Sequence, residues 1–330
     1  LDDEGSLGHM RMQKSYQVLN KTDIAVLVVD GLIGISEEDR AIISRFRQKN
    51  IPYIIVFNKL DIADRSASFP VDFPAEKNLW VSSVTGENIH ELKNLIASQV
   101  HTGQSKYPIV SDLIKPRDLV ILVVPIDSSA PKGRLILPQQ QTIRDILESD
   151  GAAIVIKETQ LKSTLESLAA TPSIVITDSQ VFDKVASEIP EDIPLTSFSI
   201  LFARHKGDLA LAVKGAASIE ELNDGDTILI SEGCTHHRQC EDIGTIKLPR
   251  WLNQYTKKDL HFKFTSGMDF PEDLSQYKLV VHCGGCMLNA REMKYRLQCS
   301  NDKNTPITNY GILIAYMQGI LDRCISPFQI

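Results

Sequence analysis

Residues 53–61 read Tyr53-Ile54-Ile55-Val56-Phe57-Asn58-Lys59-Leu60-Asp61 (YIIVFNKLD), an apolar run that stops at an abrupt polar turn. So short an unbroken run, rich in β-branched and aromatic side chains, predicts a strand buried on both faces. The same pattern stands upstream at 24–30 (IAVLVVD) and downstream at 79–82 (LWVS). Between the first two, residues 37–49 place Ile42, Ile43 and Phe46 on one face of a helix, and 88–100 predict another. Strands separated by helices imply a parallel sheet covered on both faces.

The pattern continues to the end of the chain. Strands are predicted at 119–125 (LVILVVP), 152–157 and 173–177, with helices at 139–148 and 162–168. Strands at 226–230 and 278–281 follow, then helices at 287–298 and 310–323. A polar connector (101–116) and the stretch PEDIP (190–194) mark boundaries. The expectation is an α/β protein of three α/β domains, at 1–105, 106–192 and 193–330, with no internal repeat. The middle segment carries little polar chemistry and reads as a packing or subunit-contact domain.

The turn after 53–57 carries chemistry. Asn58, Lys59 and Asp61 form an NKxD pattern at a strand end. Its carboxylate can accept two hydrogen bonds, from N1–H and the exocyclic amine of guanine, a donor pair that adenine lacks. Four residues alone are a weak signal. Residues 81–88 (VSSVTGEN) strengthen it: Ser82 and Ser83 resemble the second base-contacting loop of GTPases, again at a strand end. Together they point to a Ras-like GTPase core. No GxxxxGK(S/T) element, whose backbone cradles phosphates, occurs in the chain. The opening Leu1-Asp2-Asp3-Glu4-Gly5 looks like sequence that follows a DxxG element, so 1–105 is expected to be a partial domain. Nucleotide binding by such a domain is expected to be weak and GTP hydrolysis absent.

All six cysteines (Cys234, Cys240, Cys283, Cys286, Cys299 and Cys324) lie in the last third. Such clustering suggests metal binding. Cys299 and Cys324 sit in apolar helical patterns and read as buried thiols. Two segments share one layout. An apolar strand leads into Gly233, Cys234 and His236, and another into His282-Cys283-Gly284-Gly285-Cys286. In open α/β sheets ligands collect beyond the carboxyl ends of strands, where both loops would emerge. Thiolates hold iron–sulfur clusters, and paired glycines allow close backbone approach. Three cysteines and a histidine also match a structural zinc site, and the local pattern does not separate the two. His236 and His282 are candidate ligands or hydrogen-bond supports. His237 and Cys240 are weaker candidates.

Composition bounds the rest. The chain has 330 residues, 43% of them apolar, and a formal net charge of −7, which disfavours nonspecific binding to nucleic acid or anionic membrane. No apolar run is long enough to span a bilayer. No signal peptide is evident, and a cytoplasmic protein is expected.

These residues bring a family into view. The chain resembles the HydF family of FeFe-hydrogenase maturation GTPases, over its whole length. The most specific element is Cys234-x-His236 followed by 282–286 (HCGGC). EDIGTIKLPRWL, TNYG and DLVILVVPIDSSAPKGRLILPQ support it. The resemblance implies a GTPase domain, a dimerisation domain and a cluster-binding domain. It implies a 4Fe–4S cluster on Cys234, Cys283 and Cys286 with a variable or exchangeable fourth ligand. GTP would bind with Mg and K, through Asn58, Lys59 and Asp61 supported by Ser82 and Ser83. The implied role is a scaffold that carries a diiron precursor, built with radical-SAM maturases, to apo FeFe-hydrogenase. A homodimer through about 110–192 is implied as well. The competing reading is a GTPase switch with a structural zinc in its C-terminal domain.

Overall fold

The computed structural model describes residues 17–63, 78–99, 107–126, 133, 135–234 and 242–328. The chain divides into two compact units, Leu1–Gln104 and Ser105–Ile330. Among the described residues no helix is long and apolar enough to cross a membrane.

The first unit holds β1 (Ala25–Asp30), α1 (Glu37–Gln48), β2 (Tyr53–Asn58), β3 (Asn78–Trp80) and α2 (Ile89–Gln99). The three strands form a parallel sheet in the order β1-β2-β3, with Asp30 beside Asn58 at its carboxyl end. A capping box starts α1: Ser36 Oγ accepts from Asp39 N–H, and the Asp39 carboxylate accepts from Ser36 N–H. Ile43 and Phe46 then pack on β2, whose residues 53–57 are all buried. The expectation of full cover fails at β1. Val26 and Val28 are 37% and 60% exposed, because among the described residues β1 is an edge strand with one face open.

The second unit contains two four-stranded, all-parallel sheets. The first comprises β4 (Leu119–Val123), β5 (Ala152–Ile156), β6 (Ile174–Thr177) and β7 (Leu195–Ser197). Helices α3 (Leu137–Glu148), α4 (Leu161–Ser167), α5 (Phe182–Glu188) and α6 (Phe198–Lys206) accompany it. After α7 (Leu209–Ala217) come β8 (Thr227–Glu232), α8 (Leu248–Thr256), β9 (His261–Ser266), β10 (Leu279–His282), α9 (Ala290–Asp302) and β11 (Ile307–Asn309). Helices α10 (Tyr310–Met317) and α11 (Leu321–Ile325) close the chain. One apolar core runs through both sheets, from Val120 and Ile176 to Ile230 and Val281.

The two sheets are built alike. Their orders are β5-β4-β6-β7 and β9-β8-β10-β11, the same second-first-third-fourth arrangement. The turn before each first strand matches. Lys115 N–H donates to Asp118 Oδ2 at 2.9 Å, and Asn223 N–H to Asp226 Oδ2 at 2.8 Å. Arg117 and Gly225 take positive φ, +72° and +82°, at the same point. The last strands match too: PLTSFSIL (194–201) and PITNYGIL (306–313) each make a three-residue strand leading into a helix. Ser197 and Asn309 cap these helices by accepting from Ile200 N–H and Ile312 N–H. Ser199 and Gly311, counterparts in this repeat, lie against each other. A Cβ on Gly311 would fall 2.4 Å from both Ser199 Cβ and Ser179 Oγ.

This duplication overturns the reading that the chain has no internal repeat. β7 pairs with β6, so Leu195–Ser197 belong to the same sheet as β4, β5 and β6. The PEDIP stretch is a loop between α5 and β7. The helix expected over 310–323 is two helices, broken where Gly319 adopts φ +70°.

Candidate functional site

Two sites lie at carboxyl ends of parallel strands. In the first unit, β2 and β3 deliver Asn58, Lys59 and Asp61 beside Ser82 and Ser83. Asn58 Nδ2 donates to Ser83 Oγ at 3.1 Å, and Ser83 N–H donates back to Asn58 Oδ1 at 3.0 Å. Ser82 Oγ donates to Asp61 Oδ1 at 2.6 Å while accepting from the N–H groups of Val84 and Thr85. The loop thus fixes one carboxylate oxygen of Asp61. Lys59, at φ +72°, directs Nζ to Asp30 Oδ2 at 2.6 Å. The hydrogen bond from Lys59, aided by Leu32 N–H, holds the Asp30 carboxyl below its usual range. Sequence reasoning missed Asp30, although it is the polar residue ending an apolar strand run.

In the second unit, β8 and β10 are neighbours in register, His282 opposite Ser231. Cys283 N–H donates to Ser231 O at 2.9 Å, which sets the two loops side by side. Cys283 Sγ accepts from Gly233 N–H at 3.0 Å and Gly285 N–H at 3.4 Å, one from each loop. Gly285 takes φ +63°, the left-handed conformation that turns its N–H back toward this sulfur. Cys234, Cys283 and Cys286 are partly exposed and form no disulfide. Burial pushes the Cys283 thiol up to about 12; the two backbone N–H groups oppose this, and the charges of Cys234 and Cys286 reinforce it. The three expected cysteines therefore lie on two loops that leave neighbouring strand ends. Among the described residues no set of three His, Cys, Asp or Glu side chains is drawn together as round a single metal ion. His236, His237 and Cys240 lie outside the described residues.

His282 is committed on both ring nitrogens. Arg296 Nη1 donates to Nε2 at 2.9 Å, so Nε2 is unprotonated and Nδ1–H donates to Cys283 O at 2.7 Å. Burial, then the Arg296 charge, lowers the imidazole to about 3, so it is neutral. Arg296 is fully buried. It also donates to Glu292 Oε1 (2.9 Å), Ser231 Oγ (3.3 Å) and Gly267 O (2.6 Å), and lies over Phe270. This network fastens the ends of β8 and β10 to α9. From α6, Lys206 Nζ donates to Cys286 O at 3.2 Å and Leu288 O at 3.0 Å. Burial lowers the Lys206 ammonium, and the charge of Cys286 acts against that. Arg296 and Lys206 were not foreseen, since neither belongs to a motif and each partners residues far away in sequence.

The fold and these loops define a multidomain α/β protein that joins a GTPase-like unit to a duplicated parallel-sheet body. Residues 109–207 match the model of the hydrogen maturase F dimerization domain, and residues 210–327 that of the hydrogen maturase F tetramerization domain. The chain belongs to the hydrogen maturase F family. Both matched domains are self-association domains, and the division between them falls in the turn between α6 and α7. The chain is also similar to GTPase Der of Clostridium perfringens strain 13, 29% identical over 90 residues, 24% of this chain and 20% of that protein. The tRNA modification GTPase MnmE of Nitrosospira multiformis is 29% identical over 109 residues, 32% of this chain and 24% of that protein. The chain thus spans about a fifth to a quarter of the length of these relatives.

Proposed function

We propose that this chain holds an iron–sulfur cluster on Cys234, Cys283 and Cys286 and serves as scaffold and carrier in FeFe-hydrogenase maturation. It would receive a diiron precursor from radical-SAM maturases and deliver it to apo-hydrogenase. The observation that carries this reading is the crevice where Cys283 N–H bonds to Ser231 O and N–H groups from both loops point at Cys283 Sγ.

The donor set fits a 4Fe–4S cluster. The three cysteines stand on two loops at neighbouring strand ends, backbone N–H groups face the Cys283 sulfur, and open space lies where a Cβ on Gly284 would be. When bound, the cluster supplies an anionic iron site with one iron not served by these cysteines. The chain's own residues hold that site in place. Gly233 and Gly285 fix the Cys283 sulfur, and neutral His282, locked between Arg296 and the Cys283 carbonyl, supports the loop without serving as a ligand.

The first unit adds guanine recognition through Asn58, Lys59 and Asp61, with Ser82 and Ser83 orienting Asn58 and Asp61. Guanine nucleotide at that unit would regulate partner interactions, and self-association would make a homodimer through the 109–207 domain. Substituting Cys283 or Cys286 by Ser tests the cluster. Both variants should fold, lose bound iron and fail to activate hydrogenase when co-expressed with the maturases. Wild-type iron content in either would sink the reading.

A further inference from the structure

We propose that Lys206, contributed by the dimerization domain, is the positioning residue of the 283–288 loop and the fixed counter-charge of the cluster held there. This inference rests on the cluster reading above.

Lys206 is the last residue of α6. Its ammonium bridges two carbonyls of the cysteine loop, Cys286 O at 3.2 Å and Leu288 O at 3.0 Å, and lies beside the Phe202 ring. Half-burying a cation costs free energy that the two carbonyl dipoles offset in part and a neighbouring anion would offset further. The helix end is anchored from its other side. Arg204 pairs with Asp112 at 2.5 Å and donates to Pro108 O at 3.0 Å, and His205 Nδ1 lies 2.8 Å from Tyr107 O. The ammonium is therefore held by a braced helical turn.

The duplicated architecture supplies an internal control. Asp178 stands where Cys283 stands in the other sheet: its N–H donates to Val123 O at 3.3 Å, as Cys283 N–H donates to Ser231 O. The helix over that end is α10, the counterpart of α6. Aligning PLTSFSIL on PITNYGIL puts Gln318 at the place of Lys206. Gln318 lines a crevice of about 410 Å³ with Ser179 and Gln180, whereas Lys206 lines a cavity of about 30 Å³ with His282, Cys283 and Gly284. The crevice that carries thiols faces the cation, and the crevice without thiols faces a neutral amide. A fixed positive charge beside an anionic cluster favours the reduced form, because net charge around a cluster sets its potential.

The test uses the full chain, reconstituted anaerobically with iron and sulfide, as wild type, K206Q and K206R. Reduction is followed by EPR-monitored potentiometry, and iron release by a chelator assay. K206Q should load, but its reduction equilibrium should shift about tenfold toward the oxidised form, 59 mV for one electron. Its iron should also leave several-fold faster. K206R should restore most of the potential. A thermal melt of the unloaded proteins checks folding, and K206M, which retains the stem, replaces K206Q if the latter does not fold. A neutral variant with wild-type potential and release rate would overturn the proposal, as would K206R behaving like K206Q. A wild type that takes up no iron overturns the cluster reading itself, and this inference with it.

Discussion

Cys283 and Asp178 occupy the same point of two matching sheets. Each donates its backbone N–H across to the end of the neighbouring strand, Cys283 to Ser231 O and Asp178 to Val123 O. One scaffold therefore presents two strand-end crevices, and only one is furnished with thiols. Stability should come from what the halves share, and cluster chemistry from what they do not.

The contact between the two repeats is sterically full. Gly311→Ala adds a methyl where Ser199 Cβ and Ser179 Oγ already stand. Overpacking of this kind costs roughly 1–3 kcal/mol. Chemical denaturation should show that loss, and S199G combined with G311A should recover part of it.

The buried Arg296–Glu292 pair fastens both cysteine-bearing strand ends. Glu292 is 2% exposed, and among the described residues its Oε2 has no hydrogen-bond partner. Arg296→Met should cost about 3–5 kcal/mol, because it leaves a buried carboxylate uncompensated. Removing both charges, R296M with E292L, should restore much of the loss. A single variant as stable as wild type in urea titration would contradict this account of the network.

Asp61 is held by Ser82 Oγ through one oxygen at 2.6 Å. Asp61→Asn replaces an acceptor with a donor facing the guanine N1–H and amine. Guanine-nucleotide affinity should fall by about 10- to 100-fold, the scale of a charge-assisted hydrogen bond. Xanthine, which carries a carbonyl where guanine has its amine, should be accepted better. Titration with fluorescent nucleotides measures both, and unchanged guanine preference would remove Asp61 from the base site.

Much of this architecture was legible in the sequence. Apolar runs such as LVILVVP and YIIVF became central strands because burial on both faces leaves no polar alternation to confuse the reading. The cysteine loops could be placed at strand ends because each follows such a run. β7 and β11 escaped notice. Three-residue strands such as Leu195–Ser197 and Ile307–Asn309 are too short to carry a period. The duplication went with them, although the pairing of PLTSFSIL with PITNYGIL was there to be found. Lys206 and Arg296 were illegible for another reason. Their partners are set by packing between distant elements, and neither residue type signals that at its own position.

Anaerobic reconstitution with iron and sulfide, followed by metal analysis and EPR of the reduced protein, tests the central claim most directly. The account predicts a brown protein with about four irons per chain and the signal of a reduced cubane, lost on substitution of Cys283. A colourless protein that retains one zinc on the same cysteines would contradict it.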